Sequence, residues 1–151
     1  MRNIKIQSDT SYMNEVECLL DSIADEMNLG DNAAAVNMAV SQAIKNAIVH
    51  GNRCDKAKCV TLDYGQCTGG LFFEVSDEGD GFDFASYGTS VPQEGRGEGL
   101  FMIRMLSDKV DYFPERRCLR MEFLVNGIQP SISRERIEAL HRSTVGEAVN
   151  V

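Results

Sequence analysis

The chain has 151 residues, of which 43% are hydrophobic and 25% are charged, so it is long and apolar enough to form one globular domain with a buried core. Its formal net charge of −8 argues against direct binding to nucleic acid, because a polyanion attracts a basic surface. No apolar run approaches transmembrane length, and the N-terminal residues lack the apolar core of a signal peptide, which predicts a cytoplasmic protein that does not enter the membrane.

The five cysteines follow neither a metal-binding pattern nor a disulfide pattern. Their number is odd, and no two of them have the C-x-x-C spacing, so we expect neither a zinc site nor a disulfide framework. We expect reduced thiols that serve as small apolar residues.

The first half of the chain predicts a short strand followed by two helices. Residues 4–6 alternate in polarity and indicate a strand. Ser11 is a candidate helix cap, and apolar residues recur at helical spacing over residues 16–27. A second helix, with its apolar stripe over residues 36–48, is expected to end at Gly51.

The second half predicts two hairpins separated by a long loop and a helix. Residues 78–96 show no periodicity and are rich in glycine, serine and proline; a loop of this length inside a domain is usually functional. The predicted elements around it are strands at 60–64 and 71–75, a helix at 99–106, and strands at 110–112 and 119–125.

This order of elements differs from the strand–helix alternation of a doubly wound parallel sheet. It predicts an α+β two-layer sandwich, with three helices on one face of a mixed, mostly antiparallel sheet. Pro130 breaks the chain, and a short polar helix is expected to end near Leu140. We therefore expect a domain at residues 1–128 and a C-terminal extension at 129–151, composed of a short helix and a frayed tail.

Residues 41–52 predict a helix that presents Gln42, Asn46 and His50 on one side, because these residues are spaced at i, i+4 and i+8. The neutral amide oxygen of Asn46 suits a Mg²⁺ ion whose other ligands are phosphates and water. Small alanines on the same side leave room for a ligand. The alternative is a solvated polar stripe, which is the better interpretation of this segment taken alone.

Asp77 follows a predicted strand, and Gly79 and Gly81 come directly after it. A carboxylate at this point can accept a hydrogen bond from an adenine amino group, while the glycines let the ring approach the backbone. The alternative is an ordinary acidic turn. A calcium loop fits poorly, because Asp77, Asp80 and Asp83 lie three residues apart instead of alternating.

Glycines also open the helix that follows the long loop. Gly95, Gly97 and Gly99 precede or begin its first turn, where free N–H groups and the helix dipole favour phosphate. The spacing matches neither a Walker A motif nor the Rossmann glycine fingerprint. A flexible hinge is the alternative. Each of the three segments is a weak signal alone, so the interpretation depends on their order and on the loop between them.

With these three segments in this order, the chain resembles the GHKL superfamily of histidine-kinase-like ATPase domains, which have the Bergerat fold. Within that superfamily it resembles the small anti-sigma-factor serine-protein kinases, over roughly residues 10–125. The family's N box, Ser-Glu-x-x-x-Asn-Ala-x-x-His-Gly, matches residues 41–51. Its Asp-x-Gly-x-Gly-Phe-Asp motif matches residues 77–83, and its Gly-x-Gly-x-Gly-Leu motif matches residues 95–100.

The resemblance implies a domain that binds ATP and Mg²⁺ within residues 1–128. Asn46 is expected to hold the metal, Asp77 to recognise adenine, and residues 84–96 to form a lid over the nucleotide. The other expected nucleotide contacts are His50, Gly79, Gly81, Gly95, Arg96, Gly97, Glu98, Gly99 and Leu100.

Two positions depart from the family pattern. The N-box glutamate, which is the family's proposed general base, is Gln42 in this chain, and an amide cannot take a proton from an attacking hydroxyl. The family's late Gly-Thr turn, which helps to line the nucleotide pocket, is replaced near residues 116–118. Gln42 is therefore the candidate catalytic position, and whether the chain is a serine/threonine-protein kinase stays open.

The resemblance also implies a function in transcription regulation by partner switching. The protein would sequester a sigma factor or a similar transcription factor and be released by a phosphorylatable antagonist protein, with a homodimer as the family's usual state. The alternative is a catalytically impaired, nucleotide-gated protein-binding module. The catalytic domain of a sensor histidine kinase is disfavoured, because no room for a phosphoacceptor helix pair precedes Asn3.

Overall fold

The computed structural model describes residues 2–79 and 98–125, together with residues 137, 138 and 140. Three α-helices and five β-strands organise this part of the chain. The strands are β1 (Arg2–Gln7), β2 (Cys59–Cys67), β3 (Gly70–Ser76), β4 (Lys109–Phe113) and β5 (Cys118–Phe123), and the helices are α1 (Met13–Glu26), α2 (Ala33–Asn46) and α3 (Glu98–Leu106).

The five strands form one sheet in the order β1-β2-β3-β5-β4. The four strand pairings of this sheet are all antiparallel, so the sheet is more regular than the mixed one that the sequence predicts. The two expected hairpins are β2–β3 and β4–β5. Because β5 pairs antiparallel with β3, the C-terminal end of β3 and the N-terminal end of β5 lie next to each other at one end of the strands.

The helices cover one face of the sheet, and alternating residues of the three central strands fill the space between the two layers. Phe73 at the centre of β3 is only 1% exposed. Its ring stacks on Tyr64 of β2 at 5.8 Å between centroids and meets Phe123 of β5 edge-on at 6.0 Å. The predicted α+β sandwich is therefore confirmed.

The opposite face of the sheet carries charged residues, as the period-two alternation of its strands requires. The Arg120 guanidinium donates to Glu74 of the neighbouring strand at 2.9 Å and to Glu122 at 3.0 Å. It also lies over the ring of Phe72, 4.2 Å from the centroid. This face is thus held by a compact charge network and not by an apolar core.

The first helix begins later than its predicted cap indicates. A 3₁₀ turn at Thr10–Tyr12 precedes α1, and the carboxylate that caps this turn belongs to Asp9, which accepts the N–H of Ser11 at 2.9 Å. Ser11 therefore donates its backbone N–H to the capping carboxylate and is not itself the capping residue. Aspartate and serine are both common capping residues, so residue type alone does not show which of the two caps the turn.

In the C-terminal extension the structure describes only Ile137, Glu138 and Leu140, all of which are helical. Leu140 is 2% exposed and belongs to the core cluster. The rest of the predicted helix and tail lies outside the described residues, and the boundary at residue 128 stays a prediction. Among the helices of the described part, none is long and apolar enough to cross a membrane.

Candidate functional site

The segment that follows α2 does not continue as an α-helix. Residues Ala47–Gly51 form a π-helical turn, in which the N–H of Asn52 donates to the carbonyl of Ala47 at 2.8 Å. Because a π-helical turn holds more residues than an α-helical one, His50 leaves the spacing set by Gln42 and Asn46. His50 is exposed, whereas Gln42 and Asn46 are partly buried. Of the three residues predicted to share one side of the helix, only Gln42 and Asn46 keep the α-helical spacing.

The side chains of Gln42 and Asn46 meet the start of α3. Gln42 Nε2 donates to Asn46 Oδ1 at 3.3 Å. The backbone of Gly99 lies against both amides: a Cβ at Gly99 would lie 2.6 Å from Gln42 Nε2 and 2.7 Å from Asn46 Nδ2. A side chain at position 99 would require both amides to move, and the neighbouring Leu100, 4% exposed, anchors the helix in the core. The structure therefore brings Gln42, Asn46 and Gly99 together.

The other end of the same helical segment packs against the Asp77 turn. Asp77 is 6% exposed, and its Oδ1 accepts the N–H of Gly79 at 2.9 Å. A Cβ at Gly51 would collide with the Asp77 carboxyl group, and a Cβ at Gly79 would collide with the carbonyl oxygen of Gly51. Asp77, Gly79 and Gly51 thus form one tightly packed unit in which two backbones touch.

Burial raises the pKa of the Asp77 carboxyl group above its ordinary value. The hydrogen bond from Gly79 and the positive charges of Arg117 and Lys58 act in the opposite direction. The hydrogen bond from Gly79 uses one of the roughly four lone-pair sites on the two carboxylate oxygens, so Asp77 retains acceptor capacity. Asp77 is therefore suited to receive a donor from a ligand.

Asn52 organises this region, although the sequence pattern predicted no role for it. It is 2% exposed; its Nδ2 donates to the Ser8 hydroxyl at 2.7 Å and to the Cys59 carbonyl at 3.1 Å, and its Oδ1 accepts the N–H of Glu78 at 2.7 Å. The Glu78 carboxylate accepts the N–H of Cys59 at 2.6 Å. Because the partners lie after β1, at the start of β2 and after β3, no periodicity points to Asn52; only its place directly after the N-box glycine does.

The β4–β5 turn reaches Asp77 from the other side. A 3₁₀ turn at Pro114–Arg116 leads into Arg117, which has left-handed backbone angles of φ 49° and ψ 46°. The Arg117 carbonyl accepts the N–H of Asp77 at 3.2 Å, and Arg117 Nε donates to the carbonyl of Asp77 at 3.2 Å. The sequence located a departure from the family at this turn, and the structure connects that departure to Asp77.

Several predicted site residues lie outside the described part of the chain. They are Gly81, Gly95, Arg96 and Gly97, together with the predicted lid at residues 84–96. Glu98 is the first residue of α3, but its side chain is also outside the description. Of the glycines expected at the phosphates, Gly99 alone can be placed, and the roles of the others stay predictions.

Comparison with known proteins agrees with this arrangement. Residues 6–123 match the model of the histidine kinase-like ATPase domain, which is most of the chain. The chain is 29% identical to the serine-protein kinase RsbW of Bacillus subtilis (strain 168) over 119 residues, 71% of this chain and 74% of that protein. It is 30% identical to the anti-sigma F factor of Clostridium perfringens (strain SM101 / Type A) over 87 residues, 54% of this chain and 62% of that protein. These matches confirm the GHKL resemblance, and the chain belongs to the histidine kinase-like ATPase domain family.

Proposed function

We propose that this chain binds ATP with Mg²⁺ and regulates transcription as an anti-sigma-type protein of the cytoplasm. Two segments pack against the helical segment at residues 33–51: Gly99 lies against Gln42 and Asn46, and Asp77 lies against Gly51. This packing is the observation that carries the proposal. Family membership supports nucleotide binding, and the relatives named as a serine-protein kinase and an anti-sigma F factor support the regulatory role.

The buried carboxylate of Asp77 supports recognition of adenine. The exocyclic amino group of adenine is a donor, whereas guanine presents a carbonyl acceptor at the equivalent position. A carboxylate that is 6% exposed accepts the first and repels the second. We therefore propose that the site prefers ATP and ADP to GTP.

The amide of Asn46 supports the Mg²⁺ site. Mg²⁺ takes oxygen ligands and usually combines one or two protein ligands with phosphate oxygens and water. Within the described residues no group of three His, Cys, Asp or Glu side chains could hold a metal ion. We therefore propose a Mg²⁺ ion that is bound chiefly by the phosphates of the nucleotide, with Asn46 Oδ1 as a protein ligand.

Isothermal titration calorimetry tests the nucleotide part of the proposal. ATP and ADP should bind saturably in the presence of Mg²⁺, GTP should bind more weakly, and chelation of the metal should weaken ATP. Asn46→Ala should reduce the Mg²⁺ dependence while the variant stays folded. The absence of ATP binding at millimolar concentration would remove the basis of the proposed function.

Gln42 favours a second candidate function, a nucleotide-gated protein-binding module with little phosphotransfer. Its amide donates to Asn46 and so positions the proposed metal ligand, but it has no carboxylate with which to accept a proton from serine. Positioning and charge stabilisation dominate phosphoryl transfer, so a glutamine at this position lowers the rate without abolishing it. We propose weak transfer in the natural protein.

Replacement of Gln42 by glutamate tests this second function. General-base catalysis typically contributes about 10²–10⁴-fold, so Gln42→Glu should raise phosphotransfer to the antagonist within that range. The measurement is single-turnover transfer from labelled ATP, with Gln42→Ala as the control that lacks both the amide bond and a base. Robust transfer by the natural protein that Gln42→Glu does not change would show that the base lies elsewhere.

We propose two protein partners: a sigma factor or similar protein, and an antagonist that accepts the phosphoryl group. The support is the function named for the relatives together with the acidic net charge of −8, which suits a basic partner surface. Affinity purification from the host with ATP or ADP, followed by mass spectrometry, should recover partners whose yield depends on the nucleotide. Light scattering on the purified protein tests the proposed homodimer.

A further inference from the structure

Arg117 holds a backbone conformation that its side chain disfavours. Its φ of 49° lies in the left-handed region, where the Cβ of most residues crowds the following carbonyl. Glycine takes this conformation without that crowding. Arginine at this turn between β4 and β5 therefore costs conformational free energy that glycine would not, and a contribution from its side chain can offset that cost.

The side chain makes that contribution at Asp77. Arg117 Nε donates to the carbonyl of Asp77, and the Arg117 carbonyl accepts the N–H of Asp77, both at 3.2 Å. The backbone bond extends the β3–β5 pairing by one residue beyond Ser76 and Cys118, which lie opposite each other, and the side-chain bond reinforces it. The guanidinium is consequently held beside the buried end of β3, where the Asp77 carboxylate lies.

The charges around Asp77 distinguish Arg117 from its neighbour in the turn. Arg117 and Lys58, which immediately precedes β2, are the positive groups that favour the ionised form of Asp77 within the described residues. Arg116 carries the same charge, but its guanidinium lies over the ring of Phe113, 4.8 Å from the centroid. Two adjacent arginines therefore have different environments, and only Arg117 is bonded to Asp77.

We propose that Arg117 is a positioning residue of the adenine end of the site: it fixes the Asp77 turn to the β4–β5 turn and keeps the Asp77 carboxylate in its acceptor form. This inference rests on the proposed binding of ATP. The guanidinium does not need to touch the nucleotide, because its effect passes through the backbone and the charge of Asp77.

The test measures ATP·Mg²⁺ affinity as a function of pH for the full chain and three variants. Arg117→Gly relieves the left-handed backbone but removes one hydrogen bond, so its melting temperature should stay close to that of the natural protein. Its ATP affinity at neutral pH should fall about tenfold, because the Asp77 turn must then be ordered when the nucleotide binds. Arg117→Lys keeps the charge, and Arg116→Ala removes one charge from the same turn without removing a bond to Asp77.

The pH profile separates positioning from a structural role. The pKa of Asp77 is already raised by burial and lowered in part by Arg117, so loss of the guanidinium raises it further. ATP binding by Arg117→Gly should therefore fail at a higher pH than in the natural protein as the solution is acidified. Arg117→Lys and Arg116→Ala should retain the natural profile, which also controls for titration of the nucleotide itself.

The outcomes are distinguishable. ATP binding by the natural protein, with weaker binding and a displaced pH profile only in Arg117→Gly, supports the inference. Unchanged affinity and an unchanged profile in Arg117→Gly overturn it and leave the proposed function intact. An equal loss in Arg116→Ala also overturns it, because the effect is then one of net charge. Failure of the natural protein to bind ATP overturns the proposed function and the inference with it.

Discussion

The burial of Asp77 affects the stability of the nucleotide-free protein and its affinity for a ligand in opposite directions. Its carboxylate is removed from water, with one hydrogen bond from Gly79, and burial raises its pKa. The folded chain therefore holds the proton more tightly than the unfolded chain does. Above the raised pKa the ionised group destabilises the fold, and acidification towards that pKa relieves the penalty.

Asp77→Asn should separate stability from binding. Asparagine keeps the oxygen that accepts from Gly79 and removes the buried charge, so the melting temperature of the nucleotide-free protein should stay equal or rise at neutral pH. ATP affinity should fall about tenfold or more, because an unsatisfied buried polar contact costs on the order of 1–3 kcal/mol. Thermal unfolding and calorimetry measure the two effects. Unchanged ATP affinity would show that Asp77 only forms a turn.

Asp9 provides a control of opposite sign for the unfolding measurement. Hydrogen bonds from Ser11, first of all from its backbone N–H, lower the pKa of Asp9, and Lys56 adds to this effect. A lowered pKa means that the ionised carboxylate stabilises the fold, and that this contribution disappears as the pH falls through the lowered value. Asp9→Asn should therefore lower the melting temperature slightly at neutral pH, and acidification should remove the difference.

At the scale of elements, the helical segment formed by α2 and the π-helical turn at Ala47–Gly51 connects both ends of the site. Its α-helical part meets α3 through Gly99, and its last residue meets the Asp77 turn. Asn52 then fixes this segment to Ser8 directly after β1, to the start of β2 and to the turn after β3. The orientation of the site thus depends on one buried amide.

Asn52→Ala should destabilise the fold and the site together. The change leaves the buried hydroxyl of Ser8 and the partly buried N–H of Glu78 without their partner, which costs on the order of 1–3 kcal/mol. ATP affinity should also fall, since the Asp77 turn loses its support. Asn3→Ala is the matched control, because the Asn3 side chain donates to Asp63 at the exposed edge of the sheet. Equal denaturation midpoints for the two variants would contradict the assigned role of Asn52.

The elements were largely predictable because they are determined by local patterns. The alternation at residues 60–64 and the helical repeat at 16–27 reflect burial on one face, and the structure has β2 and α1 at these places. The π-helical turn, the left-handed Arg117 and the Asn52 bonds were not predictable. The bonds of Arg117 and Asn52 join residues that are distant in the sequence, and such contacts leave no periodic signal. The π-helical turn is local, but the apolar repeat of the helix does not show it.

At the scale of the whole molecule, the two-layer sandwich places the site between the helical layer and the ends of the inner strands β3 and β5. Asp77 and Arg117 are adjacent because β3 and β5 are neighbours, and Asn46 approaches Gly99 because α2 packs against α3. The motif order in the sequence predicted Asn46, Asp77 and Gly99 as nucleotide contacts, which stays a prediction, and the structure packs Gly99 and Asp77 against the helical segment that carries Asn46. Their contacts depend on the strand order, which the sequence alone did not determine.

The most direct test of the account is an NMR titration of the isotope-labelled protein with ATP and Mg²⁺. We expect the backbone amides of Gly51, Gly79 and Gly99 and the side-chain amide of Asn46 to shift together with a single dissociation constant. Resonances of Arg120, on the opposite face of the sheet, should stay in place. Saturable shifts confined to that opposite face, or no shifts at millimolar ATP, would contradict the claim that these segments form one nucleotide site.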